Sequence, residues 1–479
     1  MAAILAPARP DAPAARHVSG HRLFGCVLVL AAALRVLVML GYDTAQLYWY
    51  DSFTYLDTAV HLRPQAAFHP AGYSWFLWAL RPFHSVEVIA GAQHAMGLGL
   101  GLMIYTLLRR RSLPGWGATL ATVPVLFDPA FVRLEHAVLS DLQVIVLVTA
   151  ALLVLMWRRE PGRLSLWAAA LAGLLLALAG LTRTAAVPLL VLAALWLLLR
   201  RAPWRTVAAL VLAGALPLAA YAGWYAQHHG RFALSGSDGV ALWARTMTFA
   251  DCSIVEPPPA EAPLCPNGTV VDAASEYVWA PGASLNRLPG DRFSHNDLAR
   301  SFALRAIAAQ PLDYLREVVR DTSLAFTWQP VAHPRRVSAA TAFPHGSWKL
   351  PEEHALIGKV RAEYDTGIRG MRSVEPFGSI LAAYPYPWFL HGTLFGVLLL
   401  VGGLGSIGRR RAALLPWAFA VFLLVAPVAA LDFDHRYVLP AIPFACVAAA
   451  LAVAGVSRER SWWFRVLTFR MLTSLRKNT

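Results

Sequence analysis

The stretch Tyr42–Tyr73 reads YDTAQLYWYDSFTYLDTAVHLRPQAAFHPAGY. It lies between two apolar runs, at about 23–41 and 86–108, and carries Asp43, Asp51, Asp57, His61, His69 and five tyrosines. A lipid-crossing helix needs about 20 mostly apolar residues. The flanking runs meet that requirement and this stretch does not, so it is read as a polar loop at a membrane surface. Its side chains are of the kinds that move protons and bind polar ligands, and the rest of the chain is read outward from it.

The chain has 479 residues, of which 57% are apolar and 15% charged, with a mean hydropathy of +0.50. Soluble domains carry about 25% charged residues, so the composition points to a multi-span membrane protein. The 42 basic and 28 acidic residues leave a net charge of +14. In a soluble protein that excess would suggest nucleic acid. Here the arginines form short runs between apolar segments, which fits contact with the lipid bilayer and control of topology, with no nucleic-acid partner.

Ten apolar spans are expected, at about 23–41, 86–108, 116–132, 138–157, 164–181, 185–199, 207–225, 386–404, 413–431 and 437–456. The first run has no convincing cleavage site and is read as a retained helix. Under a ten-span count, the arginine clusters at 109–111, 158–163, 200–205, 409–411 and 458–460 fall on one side, which the positive-inside rule makes the cytoplasm. The opposite side receives 42–84, 133–137, 182–184, 226–384 and 432–436. The expected organisation is a disordered N-terminus at 1–22 and a transmembrane domain at 23–225 with its loop at 42–84. An extracytoplasmic region at 226–384, membrane helices at 385–457 and a basic tail at 458–479 complete it. Within 226–384, Asn296–Trp328 has helical apolar spacing broken at Pro311, and 349–375 has room for a further short helix. Cys252 and Cys265 share one polar loop with 12 residues between them, so a disulfide is expected if that loop meets an oxidising compartment.

Polar residues gather at the extracytoplasmic ends of the spans. In a helix Asp51 and Tyr55 would share a face, and a carboxylate there can accept a proton from an attacking hydroxyl. Asp57 is read as solvated or paired with Arg63. His69-Pro70-Ala71-Gly72-Tyr73 sets a turn before the apolar SWFLWAL, with His69 as either a ligand to substrate or a satisfied interfacial histidine. Glu135 and Asp141 lie in and just after the second short loop. An acid at such a depth is functional or is the partner of an arginine. Arg183 and Arg436 run against the charge rule, and each is read as a phosphate ligand or as a neutraliser of Asp141 or Asp432. Asp432-Phe433-Asp434-His435 outlines a short metal-type pattern.

These pieces resemble the GT-C superfamily of membrane glycosyltransferases, in the branch of bacterial aminoarabinose transferases and protein O-mannosyltransferases. The resemblance rests on YWYDSFTYLDTA, FHPAGYSWFLWAL, LEHAVLSDLQVIVLV, AGLTRTAAVPLLVL, PLDYLREVVRD and DHRYVLPAIP, spread over residues 48–442. It implies an all-α polytopic membrane protein of GT-C type, with about ten transmembrane helices and amphipathic helices in its extracytoplasmic loops. It further implies Asp51 as catalytic acid in the first loop of a bacterial inner-membrane enzyme, with Glu135 and Asp141 as further candidates. Ser140-Asp141 stands where the family has Ser-Glu, and Arg436-Tyr437-Val438-Leu439-Pro440 resembles its Arg-Tyr-x-x-Pro element. Tyr55, His69, Tyr73, Arg183, Arg436 and Tyr437 are the candidate substrate contacts. The family often has a second acid beside the first, where this chain has Ser52. The implied donor is a polyprenyl-phosphate sugar and the acceptor a glycan, lipid or protein of the cell envelope. No cofactor is required, and a divalent cation is possible. A transporter or flippase of lipid-linked sugars is the alternative from another class. It would place polar or Gly/Pro-broken centres in paired spans, whereas here the polar residues collect at one face.

Overall fold

A computed structural model describes residues 15–65, 67, 69–158, 164–335, 341–343, 345–350, 355–407 and 411–454. Of the segment 1–22 expected to be disordered, residues 15–22 begin the helix Ala15–Gly41 and the rest lies outside the described residues, as do the tail at 458–479 and parts of the arginine clusters at 158–163 and 409–411.

The described chain is almost wholly helical. Helix α1 (Ala15–Gly41) leads into α2 (Trp49–His61) and α3 (Gly72–Leu80), which lie in the loop, and then into α4 (Val86–Arg110). Three short helices follow: α5 (Gly115–Leu120), α6 (Val123–Phe127) and α7 (Pro129–Glu135). Next come α8 (Asp141–Leu155), α9 (Leu166–Thr182), α10 (Pro188–Leu199) and α11 (Trp204–His229). The long polar region contributes α12 (Asp238–Thr246), α13 (Cys252–Val255), α14 (Ala274–Tyr277), α15 (Asn296–Ala309), α16 (Pro311–Ser323), α17 (Ala355–Glu363), α18 (Phe377–Ala383) and α19 (Pro385–Trp388). Its only strands among the described residues are a two-residue antiparallel pair, Ser347–Trp348 with Met371–Arg372. The chain closes with α20 (Gly392–Ile407), α21 (Leu414–Ala430) and α22 (His435–Ala454).

Among the described residues, four helices can cross a membrane by length and composition: His21–Gly41, Val86–Arg110, Trp204–His229 and His435–Ala454. Five shorter apolar helices accompany them. The expected span at 116–132 is not one helix. Pro124 and Pro129 each remove a backbone donor, and Asp128 caps a new start by accepting from the Ala130 amide at 2.7 Å. None of the three pieces that result is of spanning length. In the long region the expected break at Pro311 is observed, and Cys252 is bonded to Cys265.

Two close approaches set the frame around the polar loop. Small residues let helix backbones approach in a bilayer, and a Cβ on Gly173 of α9 would lie 2.1 Å from the Leu210 carbonyl oxygen of α11. A Cβ on Gly72 would lie 2.5 Å from the Leu181 carbonyl oxygen, so α3 seats directly on the last turn of α9. Arg183 follows that turn and His69 precedes α3. The contact therefore brings residues more than a hundred positions apart into one neighbourhood. In the long region α12 packs on α15, where the Asn296 side chain accepts from the Gly239 and Val240 amides at 2.8 and 3.1 Å. Helix α16 crosses the end of α21, its Tyr314 hydroxyl donating to the Ala429 carbonyl at 3.0 Å. Its Leu312, Leu315 and Val319 remain exposed beside Arg316 and Arg320, a pattern suited to a membrane interface.

Candidate active site

Asp51 occupies the first turn of α2. Its Oδ1 lies 3.3 Å from His69 Nε2 and its Oδ2 3.4 Å from Arg436 Nη1. About a third of the side chain stays exposed, 34% against 1% for Asp141, so Asp51 is the more accessible of the two. Burial acts to raise its pKa. The His69 hydrogen bond and the charges of His69, Arg436 and Arg183 outweigh that and hold the carboxyl well below the ordinary carboxylate range. One turn on, Tyr55 packs at a tilt against the His69 ring, centroids 4.8 Å apart, and shares a 2.8 Å hydroxyl bond with Ser140.

Asp141 opens α8 and is fully buried. It pairs with Arg183, and Arg436 Nε stands 3.9 Å from the same oxygen. Arg436 thus sits between the two acids, with Tyr437 beneath both guanidinium groups at 5.2 Å (Arg183) and 5.4 Å (Arg436). Arg436 Nε is buried and makes no hydrogen bond. A buried donor left unmade is costly, and this one lies 3.9 Å from carboxylate oxygens of Asp141 and Asp434.

A groove of about 250 Å³ opens beside Asp51 and Arg436, which lie outside its lining. Its polar end is His69, Asp141, Arg183 and Tyr437, and its walls include Val144, Ala186, Val240, Leu423, Pro427 and Leu431. A smaller cavity of about 30 Å³ lies along Tyr48, Arg133, His435 and Arg436.

The structure therefore brings together Asp51, Tyr55, His69, Asp141, Arg183, Arg436 and Tyr437. It does not bring Glu135 or Tyr73 into the same group. Glu135 is fully buried, bonded to Arg35 Nη2 at 2.6 Å and to His94 Nδ1 at 2.9 Å. A buried acid held by two partners inside the protein supports structure. Tyr73 is fully buried, donates to Gln93 at 2.7 Å and packs edge-on against Tyr55. Both act behind the site. Gln93 also donates to the carbonyls of Glu135 and Ala137, at 2.9 and 2.7 Å, and so fixes the segment that leads to Asp141.

Sequence reasoning missed Arg35, Gln93 and His94. The signal was present as charged and amide groups inside otherwise apolar spans. Ser52 also has a role that was not foreseen. Its Oγ donates to the Val138 carbonyl at 2.8 Å and accepts from the Tyr48 amide at 2.8 Å, in a fully buried position. Asp57 pairs with Lys359 at 2.6 Å, on α17, rather than with Arg63.

Two groups of described residues place metal-type ligand atoms within 4.8 Å of one another: Asp57, His61 and Glu363, and Asp321, His333 and Asp432. Neither includes Asp51. In the second, Asp321 is bound to Arg245 and Asp432 already accepts four hydrogen bonds, so the donor set does not fit an ion. The Asp432-x-Asp434 pattern is likewise divided, since Asp434 caps the next turn by accepting from the Arg436 amide at 2.9 Å. The first group could hold a divalent cation if Lys359 swung away. Between Asp51 and Asp141 the place of a bridging cation is taken by the Arg436 guanidinium.

No protein-family model matches the chain, and no curated protein matches it. Among solved structures it is similar to the oligosaccharyltransferase of Archaeoglobus fulgidus tethered with an acceptor peptide. That match has 12% identity and a TM-score of 0.42, over 92% of this chain and 50% of the other. It is similar to ArnT from Cupriavidus metallidurans bound to undecaprenyl phosphate, with 16% identity and a TM-score of 0.34, over 92% and 78%. The Saccharomyces cerevisiae protein O-mannosyltransferase Pmt1–Pmt2 complex bound to the sugar donor gives 13%, 0.35, and 53% and 38%. The chain spans about half the length of the oligosaccharyltransferase or less than half that of the mannosyltransferase. The similarity concerns the path of the chain alone.

Proposed function

We propose that the chain transfers a sugar from a polyprenyl-phosphate-sugar donor to a cell-envelope glycan, lipid or protein. The reaction takes place at the extracytoplasmic face of a bacterial inner membrane. The observation that carries this reading is the groove. An apolar groove between α8, α21 and the long region holds Arg183 and Asp141 at one end, and Arg436 with the partly exposed Asp51 stands next to that pair. The apolar groove suits a lipid tail, and the neighbouring Arg183 and Arg436 forks suit a phosphate.

The chemistry is a single displacement. The acceptor O–H or N–H gives its proton to Asp51. The acceptor heteroatom forms a bond to the anomeric carbon as the bond from that carbon to the phosphate oxygen breaks. The electron pair leaves on the lipid phosphate, where Arg183 and Arg436 stabilise it. Without donor, Asp51 is held as a poor base by His69 and by the Arg436 guanidinium. A donor phosphate claims the guanidinium and raises the basicity of Asp51 when the sugar is in place. Inversion at the sugar carbon is the expected outcome. Guanidinium groups supply the charge that a metal would bring to the leaving phosphate, so a divalent cation is an optional addition at the Asp57 group. Its place there is structural.

The test is turnover by purified protein with a panel of polyprenyl-phosphate sugars, read by mass detection of released lipid phosphate. Release that depends on acceptor supports transfer. Movement of intact donor across proteoliposomes without release would support a flippase instead.

A further inference from the structure

The turn that places Arg436 between Asp51 and Asp141 is anchored by the long polar region. Asp432 stands four residues before Arg436 and is 2% exposed. It accepts from the amide of Phe433 at 2.7 Å, from the Ser275 amide at 3.0 Å, from the Ser275 hydroxyl at 2.8 Å, and from His333 Nε2 at 2.7 Å. The last three donors come from the long region, and Ser275 also lines the groove. A carboxylate that accepts four bonds in a buried place has one geometry, and the backbone on which it sits is fixed with it. Asp434 then holds the Arg436 amide. The chain of contacts therefore runs from His333 through Asp432 and the 432–436 turn to the Arg436 guanidinium.

We infer that His333 is a positioning residue for the donor phosphate, so that docking of the long extracytoplasmic region onto Asp432 sets how well Arg436 engages its ligand. This rests on the reading of Arg436 as a phosphate ligand. His333 touches neither the groove nor the reacting atoms, and its ring also packs edge-on against Phe433 at 6.1 Å. It is the member of the set that can change charge near neutrality. The groups facing it are Asp432 from the α21–α22 connection, Asp321 from α16 and Asp272 before α14. Arg245 of α12 stands against Asp321, and Arg335, whose amide donates to Asp272 at 2.7 Å, adjoins in sequence. The hydrogen bond to Asp432 is the largest influence and, with the three acids, raises the His333 pKa above its usual value, against the opposing effect of burial. A group whose pKa rises on docking gives its full contribution while it is protonated, and loses that contribution as pH rises through the raised value. Docking is therefore tightest on the acid side, and donor affinity falls as the imidazole loses its proton.

The experiment measures binding of undecaprenyl phosphate to the purified full-length protein in detergent across pH, for wild type, His333→Ala, His333→Gln and Arg436→Ala, with kcat and donor KM where turnover is obtained. A charge-assisted hydrogen bond is worth about tenfold in affinity. His333→Ala is expected to weaken binding and raise donor KM by about that factor, with kcat within about twofold. His333→Gln keeps a neutral donor for Asp432, so it should bind nearly as wild type does at alkaline pH and lack the added affinity on the acid side. Titration of the lipid phosphate is common to both proteins and cancels in their ratio. Wild-type affinity in His333→Ala, or the same pH profile for wild type and His333→Gln, would overturn the inference. Arg436→Ala separates the two claims. If it binds as wild type does, the reading of Arg436 as phosphate ligand fails, and the inference fails with it. If Arg436→Ala loses binding and His333→Ala does not, only the inference fails.

Discussion

Arg436 Nη1 lies 3.4 Å from Asp51 Oδ2, across 385 positions of sequence. The pair joins the first polar loop to the last described helix. It places a permanent cation against the carboxylate proposed as base, and one guanidinium can then serve two partners in turn, the acid before donor binds and the phosphate afterwards.

Removing that cation should move a pH profile. Burial acts to raise the Asp51 pKa, and His69, Arg436 and Arg183 hold it low. Arg436→Ala deletes one of the lowering charges, so the Asp51 pKa rises and the acid limb of kcat/KM moves to higher pH. The donor KM should rise as well, because phosphate contacts are lost. Initial rates across pH with saturating acceptor check this. An acid limb unmoved or shifted to lower pH would count against the pairing.

The Ser52 position should not accept a second acid. Its hydroxyl is fully buried and makes two hydrogen bonds within the fold. A carboxylate there would lose hydration and face the Val138 carbonyl oxygen, which it cannot donate to when ionised. Ser52→Asp is expected to destabilise the protein by a few kcal/mol, seen as a lower midpoint of thermal unfolding in detergent, without gain of metal-dependent activity. A protein as stable as the parent with new metal dependence would refute this.

Glu135→Gln should act on folding before it acts on rate. It leaves Arg35, 3% exposed, without its counter-charge. Breaking one side of a buried ion pair costs roughly 3–5 kcal/mol. Thermal unfolding midpoint and yield of monodisperse protein should both drop, while kcat per folded molecule stays within about threefold of wild type. A large loss of kcat in a fully stable variant would return Glu135 to the list of catalytic groups.

Sidedness follows from the arginine pattern and can be read with two engineered cysteines. Val270 is 88% exposed in the long region, and Arg201 is exposed in the turn after α10. A membrane-impermeant thiol reagent applied to intact cells should modify Val270→Cys and spare Arg201→Cys, both made in a Cys26→Ser background because Cys26 is exposed. Equal labelling of the two would contradict the topology.

Much of this arrangement was legible in the sequence for a physical reason. Asp141, Arg183 and Arg436 stood out because charge at the end of an apolar span needs a partner, and the structure supplies the partners in one another. Asp51 was marked by its setting in a polar loop between two spans. What pattern could not give was the third dimension inside the apolar runs. The broken segment at 115–135 has span-like composition, and its breaks come from Pro124, Asp128 and Pro129. Tyr73 and Glu135 carry polar groups near the site in sequence, yet Gln93, Arg35 and His94 claim them from helices that periodicity treats as plain membrane. The anchoring of Asp432 by Ser275 and His333 joins positions about 100 to 157 residues apart, which no local signal could report.

The central claim is that Asp51 takes the acceptor proton. Asp51→Asn keeps the size of the side chain and its place on α2, and removes the base. With donor and acceptor saturating and chemistry limiting, released lipid phosphate should fall by about 100-fold or more, while binding of undecaprenyl phosphate and the unfolding midpoint stay close to wild type. Turnover of Asp51→Asn at the wild-type rate under those conditions would contradict the account.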